Sequence, residues 1–262
     1  MKILVCMKQV PAGTKVDIDP ETGAMKRLSG ETRTNPYDLF ALEAALQLRE
    51  KVGGSVTVLT MGPPQAEEMM RDAYTMGADD AVILSDRKFA GADVLATSYA
   101  LSQGITAIGD IDLIICGKQT TDGDTAQVGP EIAEHLGLPQ VTYALEAELT
   151  DDGLTILKEC EDANQKIAVS LPCLVTFTKP SFDPRYPTIK RKLAANRAEI
   201  PVLGEDAFPD IDKTRIGLKG SPTHVKKSFV PPRKQGGVMI KEESNTASAQ
   251  KLVAMLSEAH LI

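Results

Sequence analysis

The sequence is poor in the residue types that most often bind metals or carry out redox chemistry. It contains 4 cysteines, 3 histidines and no tryptophan among its 262 residues. No two cysteines have the C-x-x-C spacing and the histidines are scattered, so neither a zinc site nor a thiol redox pair is indicated. We therefore expect no bound metal. We expect the cysteines to be buried free thiols in a reducing compartment. They are Cys6, Cys116, Cys160 and Cys173.

Other absences exclude whole classes of function. No apolar run approaches the roughly 20 residues that cross a membrane, and no signal-peptide pattern precedes the first strand-like segment. We therefore expect a cytoplasmic protein without a membrane span. The formal net charge of -7 argues against nucleic-acid binding. The sequence shows no Ser-His-Asp or Cys-His arrangement and no acid and base carboxylate pair, so hydrolysis has little support.

The first half of the sequence alternates strand-like and helix-like segments, and 42% of all residues are hydrophobic, enough for a full core. Strand-like segments cover 2–7, 55–61, 80–84 and 112–116. Helix-like segments cover 36–51, 63–76, 91–108 and 125–135. This repeated βα pattern predicts an α/β fold with a doubly wound, mostly parallel sheet that is covered by helices on both faces.

The second half has a different character. Four strand-like segments, at 141–149, 155–159, 166–170 and 174–178, predict an antiparallel extension of the sheet. Upstream of them, a small hairpin turning on Gly23 is predicted within residues 10–34. Beyond Pro180 we predict a short basic helix at 187–198, loop formers over 201–237, and an amphipathic helix at about 246–259. The chain should thus divide into an α/β domain, 1–225, and a C-terminal arm, 226–262, that docks on another chain.

The segment from Gly117 to Pro130 is the strongest candidate for a binding site. It joins the apolar run 111–116 to a helix-like pattern and is rich in small and hydroxyl residues. Backbone N–H groups at the start of a helix favour an anion, so the segment has the composition of a phosphate-binding loop. It is not a Walker A loop, and the first strand is not followed by G-x-G-x-x-G. The alternative is an ordinary strand-to-helix turn in which Asp124 or Thr125 caps the helix.

Several polar segments share one feature with this loop: each follows a predicted strand or opens a predicted helix. They are 6–9, 35–38, 60–62 and 119–127. In parallel α/β sheets, ligands bind at the carboxyl ends of the strands, near the point where strand order reverses. We therefore expect these segments to meet at one edge of the sheet.

These residues resemble the β subunit of electron transfer flavoproteins over almost the whole chain. The matching segments are Val5-Cys-Met-Lys-Gln-Val10, Asn35-Pro-Tyr-Asp38, Met76-Gly-Ala-Asp79, Gly117-Lys-Gln119 through Gly129, Lys158 to Thr176 with Leu171-Pro172, Arg185-Tyr186, Pro231-Pro232 and Gly237-Val238. The resemblance implies a fold of the adenine-nucleotide-binding type. It also implies a heterodimer with an α subunit that encloses flavin and exchanges electrons with partner dehydrogenases.

The resemblance assigns nucleotide contacts to positions that nearly coincide with the segments chosen above. They are Cys6, Asn35, Pro36, Tyr37, Asp38, Met61, Gln119, Thr120, Thr121, Asp122, Gly123, Asp124, Thr125, Ala126, Gln127, Val128 and Gly129. It also implies a surface segment, 185–194, that docks on an acyl-CoA dehydrogenase-type partner. Its expected docking residues are Arg185, Tyr186, Ile189, Lys190 and Arg191, with Ile189 as the aliphatic anchor.

Members of this family carry either AMP or a second FAD in the nucleotide pocket, and the resemblance favours FAD here. The loop Asp122 to Gly129 and the helix start Asn35 to Asp38 are similar to the FAD-carrying, electron-bifurcating branch. Gly123 and Ala126 leave room for the backbone to approach a pyrophosphate. This branch implies NADH as electron donor and ferredoxin or flavodoxin as low-potential acceptor. The alternative is a non-bifurcating subunit in which AMP is structural.

Overall fold

The structure, a computed structural model, describes residues 1–13, 17–18, 25–26, 31–226 and 236–262. The chain divides into two compact units, Met1–Lys226 and Lys227–Ile262. The strands are β1 Lys2–Cys6, β2 Gln9–Pro11, β3 Asp17–Ile18, β4 Met25–Lys26, β5 Thr32–Thr34, β6 Ser55–Met61, β7 Asp80–Leu84, β8 Leu113–Gly117, β9 Gln140–Thr150, β10 Gly153–Lys158, β11 Gln165–Val169, β12 Cys173–Phe177 and β13 Val202–Leu203. The helices are α1 Pro36–Val52, α2 Glu67–Met76, α3 Val94–Ile108, α4 Val128–Leu136, α5 Ile189–Ala195 and α6 Asn245–Glu258.

Unit 1 is built on one nine-stranded sheet in the order β11-β10-β9-β12-β8-β1-β6-β7-β13. The strands from β9 to β13 in this order are parallel, whereas β10 and β11 add to β9 in antiparallel fashion. The predicted doubly wound, mostly parallel α/β fold with an antiparallel extension is therefore confirmed. The two small pairs β2–β5 and β3–β4 are also antiparallel.

Both faces of the parallel sheet are buried. Along β1, Ile3 and Val5 pack with α1 and α2, and Leu4 and Cys6 pack with α3 and α4 on the opposite face. Successive side chains of a strand point to opposite faces, so a strand that is apolar at every position needs a helix layer on each side. The unbroken apolar runs of the sequence encode this two-sided burial.

Strand order reverses at β1, and this reversal locates the candidate site. From β1 the chain passes to β6 and β7 on one side, and then returns through α3 to β8 on the other side. Right-handed crossovers in opposite directions place helices on opposite faces. The carboxyl ends of β1 and β8 thus form the switch point where α/β proteins bind ligands.

Three details differ from the sequence-based expectation or lie outside the described residues. Helix α4 begins at Val128 rather than Thr125, because Asp124 and Ala126 have φ of 57° and 55°, which a right-handed helix excludes. Within the predicted loop 201–237, β13 pairs with β7 and extends the sheet by one strand. The hairpin is seen as the β3–β4 pairing, while its turn at Gly23 lies outside the described residues.

In the described part of unit 2, residues 236–244 form neither helix nor strand, and α6 follows them. Ser244 caps this helix by accepting a hydrogen bond from the Ala247 N–H at 3.1 Å. No residue of α6 is buried, and Leu252 and Val253 are 48% and 55% exposed.

Candidate functional site

Lys8 joins the loops that follow β1 and β8. Its Nζ lies 3.0 and 2.9 Å from the two carboxylate oxygens of Asp122. Partial burial alone would raise the pKa of Asp122, but the hydrogen bonds and charge of Lys8 hold this pKa below its ordinary value. The expected convergence of the strand-end segments therefore holds for these two loops.

Asn35 stands at the N-cap position of α1 but does not cap it with its side chain. The Nδ2 atom instead donates to the Asp38 carboxylate and to the carbonyl of Gln119, both at 2.9 Å. The Oδ1 atom accepts from the N–H of Thr121 at 3.2 Å. Asn35 is fully buried, so its amide forms a fixed connection between the start of α1 and the loop after β8.

Asp38 is the buried acidic group of the site. Its carboxylate accepts a 2.7 Å hydrogen bond from the N–H of Lys8 as well as the one from Asn35. Burial raises the pKa of Asp38 to about 7, although hydrogen bonds from Asn35 and from the N–H groups of Lys8 and Gly117 act in the opposite direction. Asp38 thus connects the ends of β1 and β8 through the N–H groups of Lys8 and Gly117. The charge of Asp38 changes near neutral pH.

We expect Asp38 to make stability fall as pH rises towards neutrality. The unfolded chain releases this proton near 3.8 and the folded chain near about 7. Between those values the folded state binds more protons, so its free energy of unfolding decreases with rising pH, by up to a few kcal/mol in total. Urea unfolding of the protein between about pH 4 and about pH 8 should show this slope in the wild type, and Asp38→Asn should remove it.

Asp122→Asn serves as the control for this measurement. The pKa of Asp122 is lowered in the folded state, so its contribution is present above its unfolded pKa and is lost as pH falls through the folded value. Asp122→Asn should therefore lower the stability of the protein by a constant amount above the acid range and leave the slope between about pH 4 and about pH 8 unchanged. Equal slopes for wild type and Asp38→Asn would show that Asp38 is not the titrating group.

The loop between Gln119 and α4 exposes backbone donors at the helix start. Its first part is a closed turn, in which Thr120 accepts from the N–H groups of Asp124 at 2.9 Å and Gly123 at 3.3 Å. Gln119 donates to the Asp124 carboxylate. By contrast, the N–H groups of residues 125–129 donate no hydrogen bond to any other residue that the structure describes. Free N–H groups at the positive end of a helix are suited to a phosphate group.

The backbone conformation of this loop is unusual for its residue types. Asp124 and Ala126 occupy the left-handed region, while Gln127 takes the N-cap position without a side-chain hydrogen bond. Neither Asp124 nor Thr125 therefore caps α4, and this part of the alternative interpretation is wrong. Two non-glycine residues at positive φ cost energy that an unstrained connection would avoid, and such strain concentrates at binding sites.

Two glycines allow close contacts at the ends of the loop. A Cβ on Gly117 would lie 2.8 Å from the carbonyl carbon of Tyr37, and one on Gly129 would lie 2.7 Å from Thr176 Cγ2. Because Gly117 has no side chain, the start of α1 can pack closely against the end of β8. Because Gly129 has none, the first turn of α4 can pack closely against β12. Gly123 is less restricted, since a methyl group there would meet only Thr120 Oγ1, at 3.3 Å.

The other predicted contacts lie at the same edge of the sheet. Cys6 ends β1 and is the register partner of Cys116 on β8, and Met61 ends β6. Both Cys6 and Met61 belong to the cluster under α3 and α4. Pro36 and Tyr37 open α1. Thr125 and Val128 lie within the segment 125–129, whose N–H groups are described above. Sequence reasoning did not select Lys8 or Lys118 individually, although Lys118 directly follows β8 and Lys8 lies two residues after the end of β1.

The predicted docking segment has an exposed apolar part and an anchored part. Tyr186 and Ile189 are 91% and 83% exposed, and Lys190 is exposed beside them. Arg185, in contrast, contacts Glu43 at 2.8 Å and also pairs with Glu50, both on α1, and these hydrogen bonds raise its pKa. Arg191 donates to the carbonyl of Met76. Both guanidinium groups were expected among the docking cations, but their hydrogen bonds fasten the segment to α1 and α2.

Two general properties of the described residues complete the site. They contain no group of three or more His, Cys, Asp or Glu side chains placed to hold a metal ion. No helix among them is long and apolar enough to cross a membrane.

The fold and this edge define a class: a doubly wound α/β protein whose polar loops meet at the switch point, as in nucleotide-binding proteins. Comparison with known proteins then specifies the family. The family model described as electron transfer flavoprotein domain matches residues 22–207. The chain belongs to the electron transfer flavoprotein family, among its β subunits.

Relatives of known name match over nearly their full length. The chain is 45% identical to the electron transfer flavoprotein subunit beta of Megasphaera elsdenii, covering 97% of this chain and 98% of the relative. It is 44% identical to the caffeyl-CoA reductase-Etf complex subunit CarD of Acetobacterium woodii, covering 100% of both chains. It is 43% identical to the acryloyl-CoA reductase electron transfer subunit gamma of Anaerotignum propionicum, again over 100% of both.

Proposed function

We propose that this chain is the β subunit of a heterodimeric, electron-bifurcating electron transfer flavoprotein of the cytoplasm. It binds FAD at the carboxyl edge of the sheet and, with its α subunit, takes electrons from NADH. One electron goes to a low-potential acceptor, ferredoxin or flavodoxin. The other goes through the FAD of the α subunit to an acyl-CoA dehydrogenase-type partner.

The observation that carries the nucleotide site is the set of free N–H groups at residues 125–129, beside a junction fastened by Asn35 and Asp38. This arrangement fits a phosphate group, because donors are oriented before the ligand arrives and the helix start favours negative charge. Gly129 supports the same interpretation, since a side chain there would move the first turn of α4 away from β12.

The choice of FAD over AMP is supported by the loop sequence and by the relatives. Small residues at Gly123 and Ala126 leave space along the loop for more than a mononucleotide. Two relatives are named as subunits of caffeyl-CoA and acryloyl-CoA reductase systems, which supports an acyl-CoA-type enzyme as the final acceptor. The second candidate is a β subunit that binds AMP structurally and leaves redox chemistry to the α subunit.

In this proposal the residues of the chain bind the nucleotide, position it and exclude water from it. The 125–129 N–H groups and the hydroxyl groups of Thr120, Thr121 and Thr125 hold the phosphates. Asn35 and Asp38 hold the loop 119–127 against the end of β1. Met61 and Cys6 form an apolar surface next to the nucleotide. When bound, the flavin supplies the exchange of two electrons with a nicotinamide and of single electrons with its partners.

Counting cofactors decides between the two candidates. We expect acid-denatured wild-type heterodimer to release two FAD molecules and no AMP, since flavin and nucleotide are held without a covalent bond. One FAD and one AMP per heterodimer would identify the non-bifurcating alternative. Reduction of the bound flavin by NADH, followed by its absorbance, is the second measurement.

We also propose that Tyr186, Ile189 and Lys190 form the docking surface for the dehydrogenase, with Arg185 and Arg191 in a supporting role. Ile189→Ala should slow electron transfer to the dehydrogenase by raising the dissociation rate about tenfold, the usual effect of truncating a central apolar anchor. Surface plasmon resonance and steady-state transfer to the dehydrogenase measure this.

Leu149→Ala, at a 36% exposed aliphatic residue on β9, is the matched control and should leave docking unchanged. Reduction of the flavin by NADH should be the same in both variants and in the wild type. If Ile189→Ala slows NADH reduction as much as transfer to the dehydrogenase, the segment supports the fold or the cofactor instead of docking.

A further inference from the structure

Lys118 lies near two aromatic rings and directly precedes the segment 119–127, which we call the nucleotide loop. Its Nζ is 5.6 Å from the ring centroid of Tyr37 and 5.3 Å from that of Tyr143. A second ammonium group, that of Lys158, is 5.7 Å from the centroid of Tyr143 and donates to Thr142 Oγ1 at 2.9 Å. Four separate segments of the chain therefore bring two cations and two aromatic rings together: the start of α1, the end of β8, and strands β9 and β10.

The backbone is distorted at the residue that organises this cluster. Tyr143 has φ of 60°, and the pairing of β9 shifts register opposite Val175–Phe177 of β12 and Leu157–Lys158 of β10. The backbone of Tyr143 leaves the regular ladder, donating to Thr176 Oγ1 at 3.1 Å and accepting from the N–H of Glu159 at 2.8 Å. Bulges of this kind re-aim side chains, and here the bulge brings the ring to within 5.3 Å of Lys118 Nζ and 5.7 Å of Lys158 Nζ.

The two lysines differ from Lys8 in how their charge is balanced. Lys8 pairs directly with Asp122, whereas no carboxylate among the described residues lies within salt-bridge distance of Lys118 or Lys158. An aromatic ring holds an ammonium group through its quadrupole without neutralising it. The chain thus positions two cations next to the nucleotide loop and leaves their charge available to an anion.

We propose that Lys118 and Lys158 form a binding site for a phosphate group of a nucleotide, organised by the ring of Tyr143. Phosphate is the anion favoured here because Lys118 is directly followed by Gln119 and the loop of free N–H groups. The phosphate belongs either to the nucleotide held by that loop or to a second nucleotide, such as NADH, bound next to it. This inference rests on the proposed function only for the identity of the molecule that carries the phosphate.

The test compares Lys118→Gln and Lys158→Gln with Lys166→Gln in the full heterodimer. Lys166 is an exposed lysine on the edge strand β11, so its substitution changes net charge equally at another place. Inorganic pyrophosphate is the probe, titrated by calorimetry at low salt. Each variant at the proposed site should lower its affinity about tenfold relative to Lys166→Gln, through loss of one charge-assisted hydrogen bond. Lys118→Arg should retain most of the affinity.

Two further readouts distinguish the sources of the phosphate. If the lysines bind the nucleotide of the loop, Lys118→Gln lowers the nucleotide content of purified heterodimer, and pyrophosphate competes with that nucleotide. If they bind a second nucleotide, the content is unchanged and the KM for NADH rises about tenfold. Either result supports the site. An absence of NADH oxidation in the wild type would contradict the proposed function, while pyrophosphate affinity and nucleotide content would still report on the site.

Tyr143 provides an independent check of the organising ring. Tyr143→Phe keeps the aromatic face and should bind like the wild type, whereas Tyr143→Leu should weaken pyrophosphate binding or nucleotide retention severalfold. Circular dichroism and thermal unfolding show whether each variant folds. The proposal is overturned if Lys118→Gln and Lys158→Gln match Lys166→Gln in pyrophosphate affinity, nucleotide content and KM for NADH.

Discussion

Replacing Gly117 by alanine is expected to release the proposed nucleotide from the heterodimer. The added methyl group would meet the Asp38 carboxylate and would lie 2.8 Å from both the carbonyl carbon and the Cβ of Tyr37. Backbone atoms at the start of a helix cannot rotate away as the end of a flexible side chain can, so α1 must shift from β8. Overpacking of this kind costs about 1–3 kcal/mol, which corresponds to a loss of affinity of roughly 5- to 150-fold if the strain falls on the site.

The measurement is the nucleotide content of purified heterodimer together with the dissociation constant of added nucleotide. Gly137→Ala is the matched control, because Gly137 ends α4 at φ of 65° and an added Cβ would have no atom within 4 Å. Alanine there introduces left-handed strain of about 1 kcal/mol but no contact with the loop. Full nucleotide content in Gly117→Ala, with α1 still in place, would contradict the assignment of the site to this junction.

Removing residues 245–262 is expected to abolish stable association with the α subunit while leaving unit 1 folded. Helix α6 has no buried residue. An amphipathic helix without a core of its own is stabilised by the surface on which it docks. We therefore propose that the arm, 226–262, docks on the α subunit, and its loss should weaken association by several orders of magnitude.

Point variants test whether association with the α subunit depends on the apolar face of α6 and not only on the presence of the helix. Leu252→Ala with Leu256→Ala should weaken association at least tenfold, since each buried aliphatic anchor typically contributes more than about 1 kcal/mol. Gln250→Ala with Ser257→Ala changes the polar positions of the same helix and should have no effect. Analytical ultracentrifugation measures association, and thermal unfolding of unit 1 checks the fold. A truncated chain that still forms the heterodimer at high dilution would refute the proposal.

Periodicity located the principal strands and helices well. The predicted strands 55–61 and 80–84 coincide with β6 and β7, and α1 begins at Pro36 as expected. Strands buried on both faces are continuous apolar runs, and proline at the first helical position marks the start of a helix, so both signals are local in sequence. The repeated βα order then leaves few topologies, because crossovers are right-handed.

Other features depend on partners distant in the sequence. β13 is a two-residue strand that exists through its pairing with β7, and no local pattern marks it. The side chain of Asn35 at an N-cap position predicts a cap, yet it bonds to Asp38 and Gln119 instead. Arg185 looks like a surface cation in sequence, while two carboxylates of α1 hold its guanidinium group.

The sequence alone therefore determined the fold class, the family and the segments that meet at the carboxyl edge of the sheet, because hydrophobic periodicity and turn residues act over short distances. Only the tertiary structure decided how those segments are joined. Asp38 acquires its raised pKa from burial, and Lys8 is balanced by a residue 114 positions away. Lys118 lies near two aromatic rings and has no carboxylate partner among the residues that the structure describes. Charge balance and desolvation depend on distances in space, which the order of residues along the chain does not contain.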